Sequence, residues 1–281
     1  MSAPTEELTF WDHLEALRMG LFRIALYWLG GSIIGWFVKG VLLEMLRWPA
    51  EEGARQVGLQ SLPFRIFDPV GGLVMAMQIA AVFGVIVASP LIFLELWHFA
   101  RPALRGKERS WVFWIVPSAV GLFVVGIIFC YMLGPRLFEW FFGLNKALGV
   151  ASEFALGAYI GFMLKLFLFF GLSFELPLVL MFLGAVGLVS SDWLLQQWKG
   201  AVVVLLAAVA IFSPTGDILT ISIMQVAVLI LYFLSILLMR IVEKRRRKAD
   251  AREEATSEAA SAPPVAIDPN DFYRSLAEPK S

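Results

Sequence analysis

The sequence predicts an all-α integral membrane protein, and this prediction depends on composition and on the spacing of apolar stretches. Hydrophobic residues make up 59% of the chain, charged residues make up 16%, and the mean hydropathy is +0.77. Soluble domains average roughly 45–50% apolar and about 25% charged residues, so a soluble globular fold is excluded. Several apolar stretches approach the ~20 residues that cross a ~30 Å hydrocarbon core as a helix.

Six stretches are predicted to span the membrane, and the fifth and sixth are predicted to be short. The apolar core of the fifth, residues 201–212, corresponds to roughly 18 Å of helix. It therefore crosses only where the bilayer thins or where its neighbours supply a polar cavity. The predicted spans lie near residues 22–43, 69–97, 110–134, 154–189, 200–213 and 218–239.

Lysine and arginine residues near the span ends predict that both termini are cytoplasmic, because cytoplasmic loops carry an excess of these residues. The connection between the second and third spans is basic, and the run 244–248 follows the last span. Residues 1–240 are predicted to form the membrane domain, and residues 241–281 a basic and then disordered cytoplasmic tail. Disorder is expected from Ala249 because Glu, Ala, Ser and Pro dominate there.

The sequence offers no support for an enzyme. The only histidines are His13 and His98, the single cysteine is Cys130, and no HExxH, CxxC or GxSxG motif occurs. Metalloprotease and α/β-hydrolase chemistry therefore have no sequence support. We expect no catalytic residues, no metal site and no cofactor.

A loop of mixed charge, residues 95–109, follows the second span and contains Glu108. In one interpretation Glu108 pairs in water with Lys107 or Arg105, an interaction worth at most ~1 kcal/mol. In the other, its carboxylate is presented at the membrane surface to capture a guanidinium group, whose planar fork matches a carboxylate.

An acidic residue, Glu175, lies within the fourth predicted span, where a charge is costly and usually faces protein or a wet cavity. Pro177 lacks the N–H that would bond the carbonyl of Ser173, so a kink beside the acid is predicted. Glu175 is either a structural polar group of the bundle or a functional one. A secondary or ion-coupled transporter would use such an acid for coupling.

Short motifs in chain order resemble the TatC family, the core receptor subunit of the twin-arginine protein translocase. The resemblance is spread over most of the membrane domain. It rests on His13-Leu14 with Leu17-Arg18 at the first span, Pro49 as a first outer-loop proline, and Ser89-Pro90, Trp97, Phe99, Pro102 and Glu108-Arg109 around the second span. It also rests on Gly171 to Pro177, similar to GxxFExP, and Ser213 to Asp217, similar to the TPxxD turn.

The resemblance implies a concave, glove-like bundle of six helices in the bacterial cytoplasmic membrane. Its members recognise twin-arginine signal peptides of folded cargo and nucleate assembly of the translocation site with TatA-type and TatB-type single-span subunits. They are driven by the proton motive force, and a homo-oligomer within a larger complex is expected, without nucleic acid. The implied signal-peptide-binding residues are Glu108, Arg109, Phe99, Pro102, Arg18 and Glu15; Glu175 is implied in an intramembrane polar cavity, and Pro49 and Asp217 in outer-side loops.

The chain departs from the family pattern at several positions. The second recognition acid of the family falls at Ala16, with Glu15 one position earlier, a shift of about 100° around a helix. Glu95 stands where Gln is usual, and Phe233 where Glu often follows an aromatic residue. These departures keep open a membrane scaffold that has lost signal-peptide recognition.

Overall fold

A computed structural model describes residues 10–59, 62–100, 112–150, 154–213 and 216–261. The chain separates into two units, Met1–Met239 and Arg240–Ser281. The described ranges are almost entirely helical and contain one pair of very short strands. The elements in order are α1 (Phe10–Gln56), β1 (Phe64–Arg65), α2 (Gly71–Ala100), α3 (Val112–Ala147), β2 (Phe154–Ala155), α4 (Leu156–Ser173), α5 (Leu176–Val186), α6 (Ser191–Gln196), α7 (Trp198–Phe212) and α8 (Ile218–Ser261).

Within the described residues, five helical segments are long and apolar enough to cross a membrane. They correspond to five of the six predicted spans. The remaining prediction, residues 200–213, coincides with α7, whose 15 residues give roughly 22 Å of helix and fall short of a ~30 Å core. The count of six spans is therefore not confirmed. The prediction that the sixth span is short is wrong, because the apolar segment Ile218–Lys244 has 27 residues. The five segments are Leu17–Gln56, Gly71–Phe99, Ile115–Ala147, Leu156–Gly184 and Ile218–Lys244.

Helices α1 and α2 pack antiparallel and very closely, because small residues face each other along the contact. A Cβ atom added at Gly31 would lie 2.6 Å from the carbonyl oxygen of Gly84, and one at Gly35 would lie 2.8 Å from that of Ala80. Small residues four positions apart let the backbones of membrane helices approach in this way. The indole N–H of Trp28 also donates to a carbonyl of α2 at 2.9 Å.

In the unit Met1–Met239, we call the end where α1 begins and α2 ends the N-terminal end. We call the opposite end the far end. The 47 residues of α1 correspond to about 70 Å, well beyond a bilayer core. Past the predicted limit at residue 43 the helix contributes Leu46, Ala50 and Ala54 to the buried core, and charged side chains one turn apart pair along its exposed side. Arg47 lies 3.1 Å from Glu51, and Arg55 lies 3.0 Å from Glu52.

Two connections are tied together at the far end. Strands β1 and β2 pair in parallel, with Phe64 opposite Phe154 and Arg65 opposite Ala155. Helix α3 also continues past the predicted limit at residue 134, and the side chain of Lys146 in its last turn donates to the carbonyl of Val57 at 2.9 Å. The far end is therefore built by helix extensions that a spanning-length rule does not anticipate.

Aromatic side chains form much of the core between α3 and α4. The ring of Phe138 lies 5.3 Å from that of Tyr159, 6.0 Å from Phe142 and 5.8 Å from Phe162. Many other large apolar side chains are exposed, including Phe37 at 81%. Exposed apolar surface on this scale is expected of helices whose outer faces contact lipid.

Helix α8 continues to Ser261, so the prediction of disorder from Ala249 fails as far as that residue. Residues 262–281 lie outside the described part of the chain. The segment after Arg240 is rich in Ala, Glu, Lys and Arg, which are strong helix formers. A helix therefore persists there without an apolar stretch to bury.

Candidate functional site

An ion pair joins α1 and α2 at the N-terminal end of the bundle. Nη1 of Arg23 lies 3.4 Å from both carboxylate oxygens of Glu95, and the hydroxyl of Tyr27 donates to Oε1 at 3.4 Å. The Glu95 side chain is 14% exposed and that of Arg23 is 50% exposed. Because a single nitrogen faces both oxygens at long range, the pair lacks the two-nitrogen fork with which arginine holds a carboxylate at about 2.7–2.9 Å.

The sequence did not predict this pair, although it singled out Glu95 as a departure from the family pattern. One signal could have indicated it. Arg23 immediately precedes the first apolar stretch and Glu95 immediately follows the second. Antiparallel neighbouring spans bring two such residues to the same end of a bundle.

Three of the predicted recognition residues are described and lie at this end. Glu15 and Arg18 are exposed on the first turns of α1, and Phe99 is 39% exposed in the last turn of α2. Phe99 follows Glu95 by four residues and therefore shares its side of the helix. The antiparallel packing of α1 and α2 thus brings these residues to one end of the unit.

The other predicted recognition residues, Pro102, Glu108 and Arg109, lie outside the described residues. They belong to the connection of residues 101–111, which leaves α2 at Ala100 and reaches α3 at Val112. The ends of α2 and α3 that frame this connection are described.

Helix geometry also relates the Ala16 departure to the ion pair. Position 16 precedes Arg23 by seven residues, two turns, and so lies within about 20° of it around α1. Glu15 precedes Arg23 by eight residues and is rotated by about 80°. Position 16 therefore lies on the same side of the helix as position 23, whereas position 15 does not.

Glu175 lies where the fourth predicted span breaks. Helix α4 ends at Ser173 and α5 begins at Leu176; Phe174 and Glu175 between them have ψ angles of −14° and −15°. The helix is thus interrupted beside Pro177, where the sequence predicted a kink because proline has no N–H to bond the carbonyl of Ser173. The carbonyl of Glu175 accepts from the N–H of Val179 at 2.9 Å, so helical bonding resumes at once.

The side chain of Glu175 is buried at 7% exposure, as expected for an acid within a span. Its Oε1 atom has no hydrogen-bond partner among the described residues, and the backbone N–H of Phe123 on α3 lies close to the carboxyl group. Helices α3 and α4 approach closely here. A Cβ atom added at Gly171 would lie 2.7 Å from the Phe123 ring, and one at Gly126 would lie 2.5 Å from the carbonyl oxygen of Phe170.

The structure corrects the prediction that Pro49 lies in an outer loop. Pro49 lies inside α1 and is fully buried. Because proline has no N–H, the carbonyl of Met45 four residues earlier lacks its usual helical donor. The hydroxyl of Tyr131 on α3 donates to that carbonyl at 3.1 Å, and the Tyr131 ring stacks on Trp48 at 5.1 Å. Pro49 therefore takes part in joining α1 to α3.

In the Ser89-Pro90 motif, the carbonyl that the proline leaves without a donor is bonded by a side chain of the same helix. Pro90 lies inside α2 and leaves the carbonyl of Ile86 without its helical donor. The hydroxyl of Ser89 donates to this carbonyl at 2.7 Å. The serine and proline of the motif thus act together to keep α2 continuous.

Asp217 begins α8. Its Oδ1 atom accepts from the N–H of Thr220 at 2.8 Å, and its carbonyl accepts from the N–H of Ile221 at 3.1 Å. A side-chain acceptor at this position satisfies one of the free N–H groups of a helix start. The structure therefore gives Asp217 a capping contact within the connection between α7 and α8.

Comparison with known proteins identifies the family. Residues 12–239 match the family model described as Sec-independent protein translocase protein (TatC). The chain is 31% identical over 252 residues to Sec-independent protein translocase protein TatCy of Bacillus subtilis (strain 168), covering 89% of this chain and 96% of that protein. It is 32% identical over 263 residues to TatC of Desulforapulum autotrophicum, covering 92% and 93%.

Relatives extend to chloroplasts and to solved structures. The chloroplastic TATC protein of Pisum sativum is 35% identical over 231 residues, covering 81% of this chain and 62% of that protein. A crystal structure of the twin arginine translocase receptor TatC matches with a TM-score of 0.73 at 28% identity, covering 82% of this chain and 98% of that one. The chain therefore belongs to the TatC family and is a multi-pass membrane subunit of a Sec-independent protein translocase.

Proposed function

We propose that this chain is the receptor subunit that recognises twin-arginine signal peptides of folded cargo proteins. The carrying observation is the agreement of its fold with a solved twin arginine translocase receptor over 98% of that chain. The shared architecture supports a shared task, and the motif residues Phe99, Pro102 and Glu108 supply the chemistry that recognition of arginine requires.

In this proposal Glu108 is the principal carboxylate for the arginine pair. A guanidinium group presents a planar fork of donors that fits a carboxylate, so an acid at the protein surface discriminates arginine from lysine by geometry. Arg109, Phe99 and Pro102 shape the site, and Arg18 and Glu15 border it from α1. The shared location of the α1 start and the α2 end supports a common site for these residues.

We also propose that the chain lies in a bacterial cytoplasmic membrane with both termini in the cytoplasm, and that α7 is a short additional span. The distribution of lysine and arginine supports the orientation. Val203 and Ile211 on α7 are 67% and 80% exposed, as lipid-facing side chains would be. A helix of this length crosses where the bilayer thins locally, which a short α7 beside α8 would favour.

The partners in this proposal are TatA-type and TatB-type single-span subunits and further copies of the chain, and the assembly is driven by the proton motive force. The buried position of Glu175 supports a polar contact between this chain and a partner inside the membrane. Its buried carboxyl oxygen without a partner among the described residues, beside a helix break, can accept a hydrogen bond from water or from a partner helix. We assign Glu175 to a polar cavity that faces these partners.

The test of the proposed function is cross-linking of a twin-arginine signal peptide to the connection of residues 101–111. Glu108→Ala should abolish the cross-link and leave the protein folded, and Glu108→Asp should retain part of it. Ala16→Glu should strengthen binding, with a ceiling of ~1.5–3 kcal/mol, or roughly ten- to a hundredfold. The effects should weaken as salt concentration rises, because exposed charges are screened.

Glu139→Ala is the matched control, because Glu139 lies at the far end and pairs with Arg136 at 2.9 Å. It should leave the cross-link unchanged. If Glu108→Ala binds the peptide normally and Ala16→Glu changes nothing, the chain does not read twin arginines at this loop. A scaffold that has lost signal-peptide recognition would then be the better description.

A further inference from the structure

We infer, independently of the proposed recognition of signal peptides, that one hydrocarbon chain of a membrane phospholipid lies between α1 and α3. It occupies an apolar groove that reaches α4, which we call the α1–α3 groove. Met45 and Ile128 form the mouth of the groove, and Leu164 and Phe167 form its floor. The phosphate of the same lipid binds Arg136.

The groove lies beside the joint between α1 and α3. The hydroxyl of Tyr131 on α3 donates to the carbonyl of Met45 on α1 at 3.1 Å. Beyond this bond, toward the far end, the two helices touch closely: a Cβ atom added at Gly134 would lie 2.8 Å from the Pro49 side chain. Next to the joint the structure contains a cavity of about 250 Å³, lined by residues of α1, α2, α3 and α4.

The cavity is open to the side of the bundle and closed at its inner end. Met45 and Ile128 at the mouth are 54% and 51% exposed. Leu164 and Phe167 on the floor are 6% and 7% exposed. A ligand that reaches the floor must therefore pass between α1 and α3.

The lining offers no free polar group to a ligand. Among the described lining side chains only that of Tyr131 carries an oxygen or nitrogen atom, and its hydroxyl is bonded to Met45. A polar cavity holds water, whereas an apolar cavity stays dry, and one of about 150 Å³ accommodates a benzene ring. A larger apolar cavity has room for a stretch of hydrocarbon chain. Left empty, it would forfeit the dispersion contacts of its lining.

The depth of the groove determines which hydrocarbon reaches it. On α2 the lining runs from Ile79 to Ile86, about 10 Å along the helix. This stretch lies inside Gly71–Phe99, and the other walls also belong to segments long and apolar enough to cross a membrane. The outer faces of such segments contact lipid chains. The exposed mouth makes the groove continuous with that surface, so a lipid chain enters sideways without leaving the hydrocarbon.

One exposed face of α3 connects the mouth of the groove with a cation. Ile128, Met132 and Arg136 follow one another at four-residue steps, about 12 Å in total. The Arg136 side chain is 73% exposed, and its surface pair with Glu139 at 2.9 Å contributes little stability. A guanidinium group binds phosphate oxygens through two nitrogens. Hydrocarbon near a phosphate is what a phospholipid presents, so this arrangement favours a lipid over an apolar side chain of a partner protein.

The test is photolabelling of the purified full chain in phosphatidylcholine nanodiscs. A small fraction of the lipid carries a photoactivatable diazirine near the end of one chain, and mass spectrometry locates the labelled residues. We expect label at Leu164 and Phe167, which lipid around the bundle cannot reach because both are buried. Label confined to exposed side chains such as Phe37 would overturn the inference, since surrounding lipid alone gives that pattern.

Two substitutions narrow the groove at different depths. Val82→Phe fills its wall and Met45→Trp its mouth, and each should lower the labelling of the floor about tenfold, within the range that overpacking costs. Val74→Phe is the matched control, because it makes the same change on an exposed part of α2 outside the lining. Equal labelling in Val82→Phe and Val74→Phe would overturn the inference. If Val82→Phe fails to fold, Met45→Trp decides by itself, since the Met45 side chain is exposed.

The phosphate contact has its own test. Arg136→Gln should lower the labelling of the floor up to about fivefold, the loss of one surface charge contact. Arg55→Gln is the control, because Arg55 is also an exposed arginine of the far end and pairs with Glu52 at 3.0 Å. An unchanged label in Arg136→Gln, or an equal loss in Arg55→Gln, would overturn the assignment of the phosphate.

Native membranes that contain the assembled translocase distinguish a lipid from a protein occupant. With the same lipid probe, label at Leu164 and Phe167 supports the lipid. If these residues are labelled in nanodiscs but not in native membranes, a partner or a second copy of the chain fills the groove, and the inference is overturned. Neither result bears on the proposed function, which is measured by the cross-link of a signal peptide to residues 101–111.

Discussion

The hydrogen bond from Tyr131 to the carbonyl of Met45 allows a quantitative test of how α1 accommodates Pro49. Tyr131→Phe removes only the hydroxyl, and the ring can still stack on Trp48 at 5.1 Å. The carbonyl then has no donor, because Pro49 has no N–H. An acceptor without a donor away from water costs ~1–3 kcal/mol, and the carbonyl of Met45 lies on an exposed part of the bundle surface where lipid, not water, would cover it. Hydrogen bonds between membrane helices average ~0.6 kcal/mol. We expect the free energy of unfolding to fall by about 1 kcal/mol.

A double-mutant cycle identifies the cause of that loss. Pro49→Ala supplies the missing N–H, so the carbonyl of Met45 regains a donor within α1. In this background Tyr131→Phe should cost much less, and most of the ~1 kcal/mol should be recovered as coupling energy. The measurement is reversible unfolding in mixed detergent micelles. An equal cost of Tyr131→Phe in both backgrounds would refute the reasoning, whatever Pro49→Ala does to stability by itself.

Tyr159→Phe is the matched control for this cycle. Its hydroxyl donates to the carbonyl of Leu46, the next residue of α1. That carbonyl lies four residues before Ala50, which retains its N–H and can supply a helical donor. The cost of Tyr159→Phe should therefore be the same with proline or alanine at position 49.

Three further predictions concern packing, the intramembrane acid and topology. Gly84→Val should separate α1 from α2, because a Cβ atom there would lie 2.6 Å from a backbone nitrogen of α1. We expect the free energy of unfolding to fall by ~1–3 kcal/mol, measured by thermal unfolding, whereas Gly40→Val, with open space around it, should be tolerated. Glu175→Gln should retain more translocation than Glu175→Leu, because the amide still accepts a hydrogen bond; equal loss would show that the charge is required. Cysteines at Leu148 and Lys244, both exposed, should react with an impermeant reagent from opposite sides, and labelling from one side would contradict the proposed orientation.

Local features of the sequence were sufficient to predict the membrane class, the approximate position of five spans and the break beside Pro177. Each depends on residues close together in the chain: the length of an uncharged stretch, or the missing N–H of one proline. The same reasoning placed Glu175 within the fourth predicted span and led to the expectation that it faces protein or a wet cavity. In the structure the residue lies in a long apolar helical segment, at the break between α4 and α5, and its side chain is buried.

Other features depended on partners distant in sequence and were decided only by the tertiary structure. Pro49 can remain inside α1 because Tyr131, 86 positions later, supplies a donor to the freed carbonyl. Arg23 and Glu95 meet across 72 positions because glycines let α1 and α2 approach closely. A prediction from the length of an apolar stretch ends the helix at the first charged residue, and a prediction from turn-forming residues places proline outside helices. Neither prediction includes the contacts that a neighbouring helix supplies. A partner contributed by another part of the chain changes the free energy of a local conformation, and the sequence around that conformation does not contain this contribution.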